Sequence, residues 1–295
     1  MSYEPHEQLV APARPSAHPL RLLAGVVLTA VLFISFSQLW SRLYRAVIGP
    51  EAWDKLADGM MRGATPAGVL INLFLFGLLI VALAITLTVL HRRRLRELIG
   101  PPALALRQFR QVTVALLMLF AVVMLLPGDA STAPQPNMPF GRWLLLLPLG
   151  LIGLMIQTSA EEIAFRGYLQ SQLAAWVSHP AVWMGVPSAL FAMLHYDPVT
   201  NGTNTWLVVG WAFGFGLAAA DLTARSGTLG PAIALHLVNN FGAVLIAAPG
   251  GNFDGLALYV YPFSLGDDDV LWQWFPIDLM MLACSWLAAR VAMRC

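Results

Sequence analysis

The feature that most constrains this chain is a succession of eight apolar runs. They are Leu22 to Trp40, Ala67 to Leu90, Val112 to Leu126, Trp143 to about Trp176, Ala181 to His195, Trp206 to Leu222, Pro231 to Ala248 and Val270 to Ala289. A backbone placed in hydrocarbon must satisfy every N–H and C=O internally, so only helices and closed barrels can span a membrane. These runs are continuous rather than alternating, and most approach the roughly 20 residues that a spanning helix needs. The expected fold is therefore all-α, a polytopic membrane protein of about eight transmembrane helices. With 58% of residues hydrophobic and 11% charged, against about 25% charged in soluble domains, little chain remains for a separate soluble domain.

The polar punctuation divides the chain. Residues 1–20 are polar and carry Pro5, Pro12, Pro15 and Pro19, which suggests a disordered tail. Residues 21–140 read as N-terminal transmembrane helices, with a short surface helix over Glu51–Gly59 in the mixed-charge loop 41–66. Residues 141–250 form a helical core, and 251–295 an outer loop and a C-terminal transmembrane helix. Arg14, Arg21, the cluster from Arg92 to Arg96, Arg225, Arg290 and Arg294 fall on one side of this layout. Both termini are thus expected to be cytoplasmic. The first run lacks a small-residue cleavage site and reads as a retained span. Cys284 and Cys295 form neither a disulfide framework nor a zinc cluster. A net charge of +1 gives no footprint for nucleic acid, so the expected partners are membrane lipid and whatever the core binds. No internal repeat is evident, which weighs against a transporter.

One stretch inside the apolar runs is chemically unusual. Ser159–Gln170 holds Glu161, Glu162 and Arg166, and each such charge costs several kcal/mol in hydrocarbon unless paired or solvated. On a helix Glu162 and Arg166 are i and i+4, acid first, the favourable order for an ion pair. Glu161 points about 100° away and has no local partner. An unpaired carboxylate in a low-dielectric site holds a proton more tightly, which suits a general base or acid. His195 closes one run, and His236 and Asn240 share a helix face at i and i+4. Glu161 lies about 17 residues before the turn near Ser178 and His195 about 17 after it, so a hairpin would set them at equal depth. His6, His18, His91 and His179 are expected to be solvated, and Asp221 and Asp278 to sit at the membrane interface.

In this order, Glu161-Glu162-x-x-x-Arg166, Phe191-x-x-x-His195 and His236-x-x-x-Asn240 resemble the three signature motifs of the CPBP family of intramembrane proteases. That family includes the type II CAAX prenyl endopeptidase and many bacterial relatives. The flanks Phe165-Arg-Gly-Tyr-Leu-Gln and Ser226-Gly-Thr-Leu-Gly-Pro agree, and the resemblance covers about residues 145–248. It implies a CAAX-protease-like helical core in a prokaryotic cytoplasmic membrane. The implied activity is endoproteolysis, near the C-terminus, of a membrane-associated protein or peptide. Glu161 with His195 would activate water and His236 with Asn240 would hold the oxyanion. Glu162, Arg166 and Phe191 would support them. No cofactor is expected. The competing expectation is Zn²⁺ held by Glu161, His195 and His236 with a water in the open position, against which Asn240 is a poor zinc ligand and no His-Glu-x-x-His occurs. A non-catalytic immunity or scaffold protein of the same fold is the alternative of a different class.

Overall fold

A computed structural model of the protein describes residues 3–126, 133–251 and 253–294. Cys295 and residues 127–132, part of the expected proline-rich loop, lie outside the described residues.

The chain is a multi-pass helical membrane protein. α1 is Pro19–Ile48, α2 Pro50–Arg62, α3 Pro66–Thr86 and α4 Pro102–Val123. α5 is Phe140–Glu162, prolonged by a π-helical stretch Ile163–Gln170 and a last turn Ser171–Ala174. α6 is Pro180–Met193, α7 Thr205–Ser226, α8 Gly230–Asn240 with a π-helical extension Phe241–Ile246, and α9 Asp268–Met293. Among the described residues six helices are long and apolar enough to cross a membrane, and Pro180–Met193 and Gly230–Ile246 are apolar but shorter. α6, with 14 residues, rises only about 21 Å, less than the roughly 30 Å hydrocarbon core. Two of the eight expected spans are therefore short helices supported by longer neighbours. Prolines start most of the helices, where the missing N–H costs nothing.

Three expectations are corrected here. Residues 4–16, read as part of a disordered tail, form three short helical turns, Glu4–His6, Glu7–Val10 and Ala11–Ser16, with His6, Leu9, Val10, Ala13 and Ser16 buried. This strap lies across one end of the bundle. Tyr3 donates to Asp221 at 2.9 Å, its ring carries Arg225 at 4.9 Å, and the His6 ring lies 4.7 Å from that of Trp183. Alternating apolar residues within a proline-rich stretch concealed this burial. Asp221, expected at an interface, is the buried acceptor for Tyr3, Arg225 and Trp286. His91, expected to be solvated, is buried between Ser16 and Tyr168 at 2.9 and 2.8 Å.

The core gathers around the middle of α5, α6, α7 and α8. Phe165, Phe191, Phe215, Leu222, Leu235 and Val238 belong to one buried cluster. α6 and α7 touch at Gly216, where a Cβ would stand 2.8 Å from Ser188 Cβ. Such small-residue contacts replace hydrophobic drive between helices in lipid. Gly210, in the same sequence run, meets nothing within 4 Å. A small sheet of β1 (Gln135–Pro136), β2 (Ala247–Pro249) and β3 (Tyr259–Tyr261), in the order β1-β3-β2, closes the other end of α5 and α8. Trp143 Nε1 donates to Leu245 O at 2.7 Å there and ties the two helices together.

Candidate active site

The site is built on α5 and α8, which pack side by side. Glu162 is wholly buried, and its Oε1 accepts from Arg166 Nη1 at 3.0 Å. Helical spacing dictates that contact. The same oxygen lies 2.8 Å from His236 Nδ1, which spacing could not foretell. Glu162 is thus shared between a guanidinium on its own helix and an imidazole on the next. His236 Nε2 faces Glu161 Oε2 at 3.5 Å. His236 is consequently held between two carboxylates, one on each ring nitrogen. With Nδ1–H donating to Glu162, a neutral ring has only a lone pair toward Glu161. Two carboxylates and one guanidinium thus share a largely buried cluster with the His236 ring. A buried charge set is tolerable only when it is balanced and hydrogen-bonded.

Aromatic rings fix this arrangement. Phe191, 2% exposed, lies under the Arg166 guanidinium with 4.6 Å from Cζ to the ring centroid. Its ring also meets those of His195 at 4.9 Å and His236 at 6.0 Å. Phe215 of α7 also packs on His236, at 4.9 Å, and stacks on Phe191 at 6.0 Å. Cation–π contacts of this kind are strongest where water is excluded.

His195 departs from expectation. α6 ends at Met193, so His195 stands in the turn beyond it, half-buried, with Nδ1 donating to Phe191 O at 3.1 Å. That bond fixes the proton on Nδ1 and leaves the Nε2 lone pair outward. Among the described residues no hydrogen bond or ion pair joins His195 to Glu161. Equal counting from the turn matches depth but says nothing about which face each helix turns inward, and α8 supplies the histidine that Glu161 meets.

Asn240 Nδ2 donates to Gln157 Oε1 at 3.0 Å, and Asn240 Oδ1 accepts from Asn239 Nδ2 at 3.2 Å. Gln157 is buried and sits one turn before Glu161 on the same face of α5. Sequence reasoning passed over it, although a glutamine at i−4 from Glu161 inside an apolar run was the available signal. Phe215 and Asn239 were also missed; Phe215 has no spacing relation to the motifs, and Asn239 stands directly before Asn240 within one of them. The two amide contacts orient Asn240 so that its second Nδ2–H is left to donate. α5 widens into π-helix within its motif, from Ile163 on, and α8 does so directly after Asn240, at Phe241. Such widening recurs at functional sites, because it re-aims the side chains that follow.

Among the described residues no group of three or more His, Cys, Asp or Glu side chains is arranged to hold a metal ion. His195 engages Phe191 O through Nδ1, and His236 faces a carboxylate on each ring nitrogen.

Residues 142–242 match the model of a family described as type II CAAX prenyl endopeptidase Rce1-like. The matched segment begins near the start of α5 and ends just past Asn240, so it contains every motif residue named above. A protein of Bacillus subtilis (strain 168) described as the uncharacterized protein YyaK is 27% identical over 136 residues, covering 45% of this chain and 44% of the relative. The chain thus spans less than half the length of that curated relative. No solved structure gives a significant match.

Proposed function

With the Rce1-like family of residues 142–242 as premise, we propose that this protein is an intramembrane endopeptidase. Its substrate is a membrane-associated protein or peptide, cut near the C-terminus. The observation that carries the reading is His236 held between Glu161 and Glu162 beside an amide-oriented Asn240. Those groups can supply the two things amide hydrolysis needs, a base for water and donors for the oxyanion.

In the proposed sequence Glu161 takes a proton from the attacking water, with His195 Nε2 accepting that water's second hydrogen bond. The water oxygen bonds to the scissile carbonyl carbon, and the resulting oxyanion is met by Asn240 Nδ2–H and by Nε2–H of an imidazolium at His236. Glu162, neutralised on one side by Arg166, stabilises that imidazolium through Nδ1. Collapse of the intermediate breaks the C–N bond, and Glu161 returns its proton to the leaving nitrogen. In this sequence His236 acts as a donor in its charged form. The mechanism proposed is metal-independent, with every step carried by Glu161, His195, His236 and Asn240. The basic end of the bundle, with both termini, is proposed to face the cytoplasm.

The test compares membrane proteomes of cells carrying the wild type and Glu161→Gln. A set of proteins or peptides that keep an extra C-terminal segment only in the variant is expected. Identical C-termini in both strains, with the variant folded and a wild-type phenotype, would make the protein a non-catalytic member of the fold. Activity lost on exhaustive chelation and restored only by Zn²⁺ would defeat the metal-independent mechanism.

A further inference from the structure

A second polar feature lies behind the site. Between α4, α7, α8 and α9 is a cavity of about 140 Å³, lined in part by Phe215, Leu235, Asn239, Asp278, Leu282 and Ser285. Asp278 is exposed at its edge and lies ten residues into the 26-residue α9. That is mid-helix, not near a span end as the sequence suggested. Asp278, Leu282 and Ser285 fall at i, i+4 and i+7, a single stripe of α9 turned to the cavity. Ser285 is 5% exposed. Among the described residues the side chains of Asp278 and Ser285 have no hydrogen-bond partner, and Asn239 spends only its Nδ2 on Asn240.

A carboxyl, a hydroxyl and an amide oxygen with unmet capacity in the middle of an apolar helix layer call for a small partner that both donates and accepts. A carboxyl at this depth costs several kcal/mol if left to hydrocarbon. Water fits all three groups, and a polar cavity of this size has room for several molecules. The cavity also shares walls with the site. Phe215 separates it from His236, against whose ring it lies at 4.9 Å. Asn239 hydrogen-bonds to Asn240.

We propose that this cavity is a water chamber that feeds the hydrolytic site through the Asn239–Asn240 edge. The proposal rests on the hydrolase reading above. Each turnover consumes one water, whose oxygen bonds to the acyl carbon while its protons end on the carboxylate product or the leaving amine. A site inside the helix layer needs a store of it.

The test is carried out on the full chain in membranes with Cys284→Ser and Cys295→Ser. Ser285→Cys is treated with a charged methanethiosulfonate, which reacts with thiolate and so requires water. The control is Leu287→Cys, on the exposed face of the same helix. Ser285→Cys is expected to react at least about tenfold faster than the control, because thiolate forms only where water solvates it. Filling the chamber with Ser285→Leu, or removing its carboxyl with Asp278→Leu, is expected to lower kcat about tenfold with KM unchanged, as a loss confined to the chemical step. Equal labelling of the two cysteines overturns the proposal. So does fast labelling of Ser285→Cys with kcat untouched in both leucine variants. The labelling result is independent of catalysis, so identical substrate C-termini in wild type and Glu161→Gln would defeat the hydrolase reading without being confused with a dry chamber.

Discussion

At the scale of single residues, the site separates groups that hold charge from groups that aim it. Glu162 and Arg166 are each 0% exposed, so removing one strands the other. Glu162→Ala is expected to cost about 3–5 kcal/mol, the usual penalty for an uncompensated buried charge. The readout is thermal unfolding in detergent, where Glu161→Gln, a near-isosteric change outside that ion pair, should melt close to the wild type. In the proposed mechanism Gln157, hydrogen-bonded to Asn240, acts through it as a positioning residue. Asn240→Ala should lose about 10²–10³ in kcat, the usual loss for one oxyanion donor, and Gln157→Leu about tenfold with KM unchanged. In the double variant Gln157→Leu should add almost nothing to Asn240→Ala. Additive losses would show that Gln157 serves the fold rather than the amide.

At the scale of elements, the short helices α6 and α8 do the positioning and the long ones supply the frame. α6 cannot cross a bilayer alone, and it is held by its close approach to α7 at Gly216. Gly216 sits next to Phe215, whose ring packs on His236. Gly216→Val would drive α6 from α7 and is expected to destabilise by about 1–3 kcal/mol, the range for overpacking. Because it also shifts Phe215, kcat should fall in the protein that remains folded. Gly210→Ala, where a Cβ meets nothing within 4 Å, is the matched control, with melting temperature and kcat near wild type.

At the scale of the whole molecule, the N-terminal strap joins the first residues of the chain to α6, α7 and, through Asp221, α9. His6 is 4% exposed, and burial pushes its imidazole down to about 4 from 6.5, with the nearby Glu7 only partly opposing. The released strap therefore binds a proton that the docked strap refuses. Docking is fully stable above about pH 6.5, weakens as pH falls from 6.5 toward 4, and changes no further below that. The loss amounts to about 3 kcal/mol across the window at 1.36 kcal/mol per unit. Spin labels at the exposed positions Ala11 and His179 are expected to report a single short distance at pH 7.5 and a broadened, longer one at pH 5. His6→Phe should keep the short distance at both values; broadening in that variant would assign the release to another group.

How much of this was legible in the sequence follows from which interactions are local. The helices were legible because hydrocarbon forces each backbone to satisfy itself, so hydropathy alone predicts their number and order. The Glu162–Arg166 pair was legible because i and i+4 are neighbours on any helix. The family resemblance was legible because three short motifs occur in a fixed order. The partner of Glu161 was not. Counting along two helices gives depth but neither their rotation nor their lateral neighbours, and these put His236 beside Glu161 and turned His195 to a backbone carbonyl. Burial of His6, the use of Gln157, and the convergence of Asn239, Asp278 and Ser285 on one cavity each depend on contacts between segments far apart in the chain. Packing made those choices, because only the assembled bundle decides which polar groups are left facing one another in the absence of water.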